Sequence, residues 1–255
     1  MDLKNLRIGY VPYEPDLSQP GDRRRFPYFA KRYGIEFDIA DTGDDYDIIL
    51  LTAPSNLSKW LEYKQSHPNT IFLFEMVDSL LFLPDLFTRF FKGMGRYILK
   101  KEDRLHLNYT ALLRKWIAIS DVIICSNTVL RNEVAKLNAK TIVSPDYLET
   151  EYSAYKTNFE ISGKMKIVWE GLPSVLPHFL AYTEVFKGIS SFCELHVISK
   201  PAYPVIPKVF YSSTEKFLKK LPIETVYHDW ELNTHTDFLI RGDCAVIPLN
   251  PKNSF

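Results

Sequence analysis

The sequence predicts an α/β protein built from two tandem Rossmann-like domains, each a doubly wound, mostly parallel sheet. Three observations carry this. Short apolar, β-branched runs alternate with stretches of helical period, the pattern of strands joined by covering helices. The runs are apolar on both faces, as strands covered from both sides must be. The alternation also stops at a polar, Tyr-rich segment, Asp146 to Lys164, and then restarts. This places one domain over residues 1–150 and a second over 151–255.

Taken in order, the first domain has predicted strands at Arg7–Val11, Glu36–Ile39, Asp47–Leu51, Thr70–Phe74, Val122–Cys125 and Thr141–Val143. Helices are predicted at Asp22–Tyr33, Ser55–Gln65, Leu80–Ile119 and Thr128–Leu137. The second series runs strand Lys166–Trp169, helix near Pro177–Lys187, strand Glu194–Ile198, helix Thr214–Lys220, strand Glu224–Tyr227, helix Leu232–Ile240 and strand Ala245–Pro248. The run Asp243–Leu249 leads into Asn250–Phe255, and the helix that should cover such a strand does not follow. The second domain is therefore read as incomplete. In folds of this class ligands lie beyond the carboxyl ends of the strands, so the cleft between the domains is the expected site.

Bulk composition narrows the function. The chain is 255 residues long, 46% hydrophobic and 14% aromatic, enough to build real cores. Lys plus Arg and Asp plus Glu both number 31, so there is no basic excess of the kind that marks a nucleic-acid binder. Cys125, Cys193 and Cys244 are far apart and show no zinc-type spacing. They read as buried thiols in a reducing compartment, and the expected location is cytoplasmic. No apolar run approaches the roughly 20 residues of a membrane span, and Met1–Arg7 leads directly into a strand rather than a signal peptide.

Several segments, taken together, resemble a known family. They are Arg7–Pro12, Asp16–Phe26, Asp47–Thr52, Phe74–Ser79, Asp121–Ser126, Val168–Gly171 and Asp243–Leu249. In that order and spacing they resemble bacterial glycosyltransferases of the GT-B fold, the group often called glycosyl transferases group 1. The resemblance spans nearly the whole chain, and the order of the segments carries it rather than any one motif. It implies a nucleoside-diphosphate sugar donor held by the second domain and a glycan or lipid-linked acceptor held by the first. Sugar transfer, as in polysaccharide biosynthesis, would take place in the cleft. It implies no metal and no further cofactor. The alternative is a non-catalytic relative or fragment that binds a nucleotide or glycan, and a third reading is a nucleotide-sugar epimerase on the same fold.

Candidate site residues follow from position. In the loop after the first strand, Gly21 permits a tight backbone approach and Asp22 reads as the N-cap of the next helix. Arg23, Arg24 and Arg25 then fall at a helix N-terminus, where cations oppose the helix dipole and where phosphate or a charged acceptor would be welcome. The competing reading is a solvated first turn. Glu75 and Asp78 lie at the carboxyl end of a buried strand, where a carboxylate could deprotonate an acceptor or stabilise developing positive charge. The family resemblance places a His or Asp near the reacting sugar at this strand end, so Asp78 is the first choice and Glu75 the second. The competing role for Asp78 is an ordinary N-cap.

In the second domain, Trp169-Glu170-Gly171 ends the first strand. Gly171 suits a loop passing close to a diphosphate, with Glu170 beside it. Relatives that retain anomeric configuration carry an Arg and a Lys nearby. Here the next cations are His178, if charged, Lys187 and Lys200, and Lys200 is the candidate substitute. His228-Asp229-Trp230 corresponds to a segment bordering the nucleotide base in the family, with Trp230 as the stacking ring. Pro248, Leu249 and Lys252 would continue that site, Lys252 meeting a phosphate.

One helix carries a sharper pattern. Arg89, Lys92, Arg96 and Lys100 share one face, and Phe87, Phe90, Phe91, Met94 and Ile98 the opposite one. A basic amphipathic helix of this kind over residues 86–101 can rest on anionic lipid, giving peripheral contact with the inner face of the membrane. The plainer reading packs the apolar face on the sheet and leaves the basic face in water. No P-loop, GxGxxG after the first strand or GxSxG elbow is present, which argues against P-loop enzymes, simple dinucleotide dehydrogenases and α/β-hydrolases. Asp44-Asp45-Tyr46-Asp47 precedes a strand and reads as a polar turn, not a metal motif.

Overall fold

The structure is a computed structural model, and it describes residues 6–77, 81, 86–147, 155–206 and 210–248. Asp78, Leu249 and Lys252 lie outside the described residues. The chain forms two compact units, residues 1–149 and 150–254. Both are α/β with parallel sheets.

The first unit holds a six-stranded sheet ordered β2-β1-β3-β4-β5-β6. The strands are β1 (Ile8–Val11), β2 (Asp38–Ile39), β3 (Ile48–Thr52), β4 (Ile71–Met76), β5 (Val122–Cys125) and β6 (Thr141–Val143). Every neighbouring pair is parallel. The chain steps from β1 outward to β2 and then returns to β3 on the other side, so the topological switch point lies between β1 and β3. The core packs Leu51, Phe72, Phe74, Ile123, Leu57 and Trp116 around the strands. Asparagines start three of the helices: Asn56 before α3 (Leu57–Ser66), Asn108 before α5 (Tyr109–Ile119) and Asn127 before α6 (Thr128–Val134). Each side-chain oxygen accepts a backbone N–H of the first turn.

Two helices differ from expectation. The predicted helix Asp22–Tyr33 is two helices, α1 (Pro20–Arg24) and α2 (Phe26–Tyr33), broken at Arg25. Pro27 has no N–H to give to the Arg23 carbonyl and its ring would collide with it, so one continuous helix is excluded. The predicted helix Leu80–Ile119 is also two, α4 (Leu86–Ile98) and α5, with Lys100 at φ +55° in the turn between them.

The second unit holds a four-stranded parallel sheet ordered β11-β8-β7-β12. These strands are β7 (Met165–Glu170), β8 (Cys193–Ser199), β11 (Glu224–Asp229) and β12 (Cys244–Ala245). The last strand is shorter and earlier than the predicted Ala245–Pro248. An antiparallel hairpin, β9 (Ala202–Ile206) with β10 (Phe210–Ser213), was not foreseen. Pro204 lies within β9, and a two-stranded ribbon is all edge and tolerates it. The helix expected near Pro177 is a 3-10 helix, Pro173–Tyr182, followed by α7 (Thr183–Ile189). Pro177 inside the first segment cannot take part in an α-helical ladder. Two short helices, α8 (Thr214–Leu218) and α9 (His235–Leu239), complete the unit. Leu195, Val197, Phe179, Phe186 and Phe217 make its core.

Candidate functional site

At the carboxyl edge of the second unit's sheet, four of the expected donor residues converge. Glu170 ends β7, Lys200 follows β8 and Trp230 follows β11. The Trp230 indole N–H donates to Glu170 Oε1 at 2.6 Å. Lys200 Nζ donates to the Trp230 carbonyl at 3.0 Å and sits 4.8 Å from the centre of its ring. Gly171 is fixed between strands: its N–H donates to the Ile198 carbonyl at 3.2 Å, and its own carbonyl accepts Ser199 Oγ–H at 2.6 Å. A Cβ on Gly171 would lie 2.5 Å from the Trp169 ring, so packing against that ring favours glycine here. Trp169 itself is buried against Phe179.

Sequence reasoning missed His235. Its ring stacks on Trp230 at 5.4 Å, and its Nε2 comes to 4.0 Å from Glu170 Oε1. Its Nδ1 faces the carbonyls of Glu231 and Leu232 at 3.1 and 3.0 Å, so that nitrogen carries the proton. The signal for it was only its spacing, five residues past Trp230 at the start of a helix. The edge therefore joins a carboxylate, an ammonium, an imidazole and an indole. That set suits a ligand with hydroxyls, negative charge and a flat ring. Pro248 is buried just past β12.

At the carboxyl edge of the first unit's sheet the expected anion loop takes a different form. The N-cap of α1 is Gln19, not Asp22. Asp22 lies one turn inside the helix and is fully buried. It accepts the Tyr10 hydroxyl at 2.7 Å and the Tyr13 and Glu14 amides at 2.9 and 3.2 Å. Gly21 leaves room for the Tyr13 ring, which a Cβ would meet at 2.6 Å. Arg23 and Arg24 fall in the last turn of α1, where positive charge complements the helix dipole rather than opposing it. Arg25 is the N-cap of α2, so the three arginines close one helix and lead into the start of the next.

Arg25 turns inward at the break between α1 and α2. Its Nε lies 2.8 Å from Glu75 Oε1, its Nη1 2.6 Å from Asp146 Oδ1, and its Nη2 donates to the Ser144 carbonyl at 2.9 Å. Both Arg25 and Glu75 are buried. Burial pushes the Glu75 carboxyl up and Arg25 pulls it down, the burial being the larger effect. Glu75 Oε2 has no hydrogen-bond partner among the described residues. Through Arg25 this buried pair ties β4 to the segment after β6.

The 86–101 helix departs from its plainer reading. Arg96 is only 8% exposed and donates to the carbonyls of Pro54 and Ser55 at 2.8 and 2.6 Å and to Glu102 Oε1 at 3.2 Å. Glu102 in turn accepts the Leu57 and Ser58 amides at the start of α3. Phe87 and Ile98 are 72% and 67% exposed, and Leu86 and Phe91 are exposed as well. Arg96 anchors the helix while Lys92 on the same side is exposed; on the apolar side Phe90 and Met94 are half-buried and Phe87, Phe91 and Ile98 face solvent. Among the described residues no helix is long and apolar enough to cross a membrane, and no cluster of side chains is arranged to hold a metal.

No family model matches the chain, and no curated protein does. Among solved structures it has a distant likeness to MurG from Acinetobacter baumannii, with a TM-score of 0.33 and 7% identity, covering 88% of this chain and 65% of that one. A multidomain adenylation and ketoreductase structure from a keto acid-selecting NRPS module is more distant still, with a TM-score of 0.21 and 8% identity, covering 90% of this chain and 22% of that one. The chain thus spans less than two thirds of the length of either.

Proposed function

We propose that this chain is the donor- and acceptor-binding body of a GT-B-type glycosyltransferase that moves a sugar from a nucleoside diphosphate to a glycan or lipid-linked acceptor. The observation that carries the reading is the convergence of Glu170, Gly171, Lys200 and Trp230 at one sheet edge. Parallel α/β sheets bind ligands there, and the chain's return from β11 to β12 puts the switch point beside Glu170. In this reading Trp230 stacks the base, Lys200 meets the diphosphate and Glu170 accepts a donor hydroxyl. The reading adds Pro248 to this edge and keeps Leu249 and Lys252 as donor-site candidates and Asp78 as the catalytic candidate, all three outside the described residues. No metal takes part.

The test is calorimetry with UDP-, GDP-, ADP- and CMP-sugars on the wild-type chain and on Trp230→Ala. One nucleotide should bind selectively, and Trp230→Ala should weaken it about tenfold, the loss of one base stack of about 1–3 kcal/mol. Absence of binding at millimolar ligand to a folded chain would sink the reading. Selective binding with no transfer to any acceptor, in a chain that carries Asp78, would favour the non-catalytic alternative.

The outward apolar face of α4 supports a second element of the reading, peripheral contact with an anionic membrane that presents a lipid-linked acceptor.

A further inference from the structure

Beside the Trp230–Glu170 edge, on the sheet face that α9 covers, lies a row of titratable groups with no part in the reading above. Glu194 and His196 are on β8, and His228 is on β11. Glu194 Oε1 lies 2.8 Å from His196 Nε2. His196 Nδ1 lies 3.0 Å from His228 Nε2. The His228 ring stacks on Phe238 of α9 at 4.2 Å, and Arg241, just past α9, stands over the Phe238 ring. One turn back on α9, His235 stacks on Trp230 and approaches Glu170. A single short helix thus rests one side chain on the histidine row and another on the ligand edge.

Proton counting limits what this row can hold. A carboxylate only accepts, so His196 Nε2 carries a hydrogen. The contact between the two imidazoles holds one hydrogen, given by either ring. Two neutral rings satisfy it, and so does a pair carrying one positive charge. A second charge points two N–H groups at each other across 3.0 Å, which is repulsive, and the contact must open.

We infer that Glu194, His196 and His228 form a relay that tolerates one positive charge, and that its second protonation unseats α9 and disorders the Trp230–Glu170 edge in acid. The groups facing His228 are His196, with Glu194 behind it, on β8, and Phe238 and Arg241 from α9 and its end. Glu224, beside Glu194 in the register, is held by Lys164. Burial first, then His196 and Arg241, lower the pKa of His228 from its ordinary value near 6.5. A histidine lowered in the folded state stabilises fully above the unfolded value. That contribution is lost as pH falls from about 6.5 toward the folded value, because the unfolded chain takes the proton first. His228 and His196 are positioning residues in this scheme, since they act through α9.

The experiment follows the Trp230 indole N–H by NMR from about pH 8 to about pH 5, in the wild type and in His228→Gln, with no nucleotide present. Gln can still donate to His196 Nδ1 but does not titrate. The wild-type signal should shift or broaden below about pH 6.5, and His228→Gln should remove part of that change, leaving only what His235, stacked on the same ring, contributes. Identical profiles in the two proteins, or a flat wild-type profile, overturn the inference. If His228→Gln does not fold, the wild-type imidazole titrations decide. Two separated steps, with Trp230 following the lower, support the relay; two independent titrations at ordinary values overturn it. Because no ligand is added, the outcome is separate from that of the donor reading.

Discussion

Arg25 shows how one residue's surroundings reassign its role. As part of Arg23-Arg24-Arg25 it reads as one of three cations set for phosphate or a charged acceptor, with a solvated turn as the competing reading, yet it is buried against Glu75 and Asp146. Taking charge out of water costs several kcal/mol per ion, and only good geometry offsets it. Removing one partner leaves the other uncompensated. Arg25→Ala should therefore destabilise the first unit by about 3–5 kcal/mol, read from urea unfolding, and a loss under about 1 kcal/mol would place the pair in a far wetter setting. Trp230 behaves in the opposite way. Its role as a ring at the strand end was legible from position, because a residue just past a parallel strand must lie at the ligand edge. Its partner His235 was not, because a stacking contact across a turn leaves no periodic trace.

At the scale of elements, the strands were legible and the helices only partly. Buried parallel strands need continuous β-branched and apolar runs, and β3 and β5 are such runs with bounds close to expectation. Helix ends depend on single residues. Pro27 divides α1 from α2, and the turn at Lys100 divides α4 from α5. The helical period identified two faces of α4, but each is split: Arg96 is buried while Lys92 is exposed, and Phe90 and Met94 are half-buried while Phe87, Phe91 and Ile98 are exposed. Period reveals that a helix has two sides; which side meets the body depends on what waits there. Here it is the free carbonyls of Pro54 and Ser55 and the buried Glu102, which Arg96 satisfies. The exposed apolar face then predicts binding to vesicles containing anionic lipid. Phe87→Asp and Phe91→Asp should each weaken co-sedimentation about tenfold or more, in line with about 1.5–3 kcal/mol for a buried aromatic. Their circular dichroism should be unchanged, because both rings are already exposed. Equal sedimentation of wild type and variants would remove the membrane element of the proposal.

At the scale of the molecule, each unit has its own core and its own sheet. Phe179 is fully buried in the second core, so Phe179→Ala should cost about 3–5 kcal/mol there. Hydrogen exchange should then show deprotected amides in β7, β8 and β11, while β3, β4 and β5 keep wild-type protection. Loss of protection in both sheets together would mean that the units unfold as one. The sequence by itself determined the α/β class and the buried parallel strands, though not the β9–β10 hairpin, because such strands follow from local hydrophobic pattern. Tertiary structure alone decided which charges are buried, which side chains of α4 face outward, and that His235 and the Glu194–His196–His228 row share one helix as a roof. Those outcomes depend on partners distant in the chain, brought within hydrogen-bonding reach only when the strands align, and a one-dimensional pattern carries no record of them.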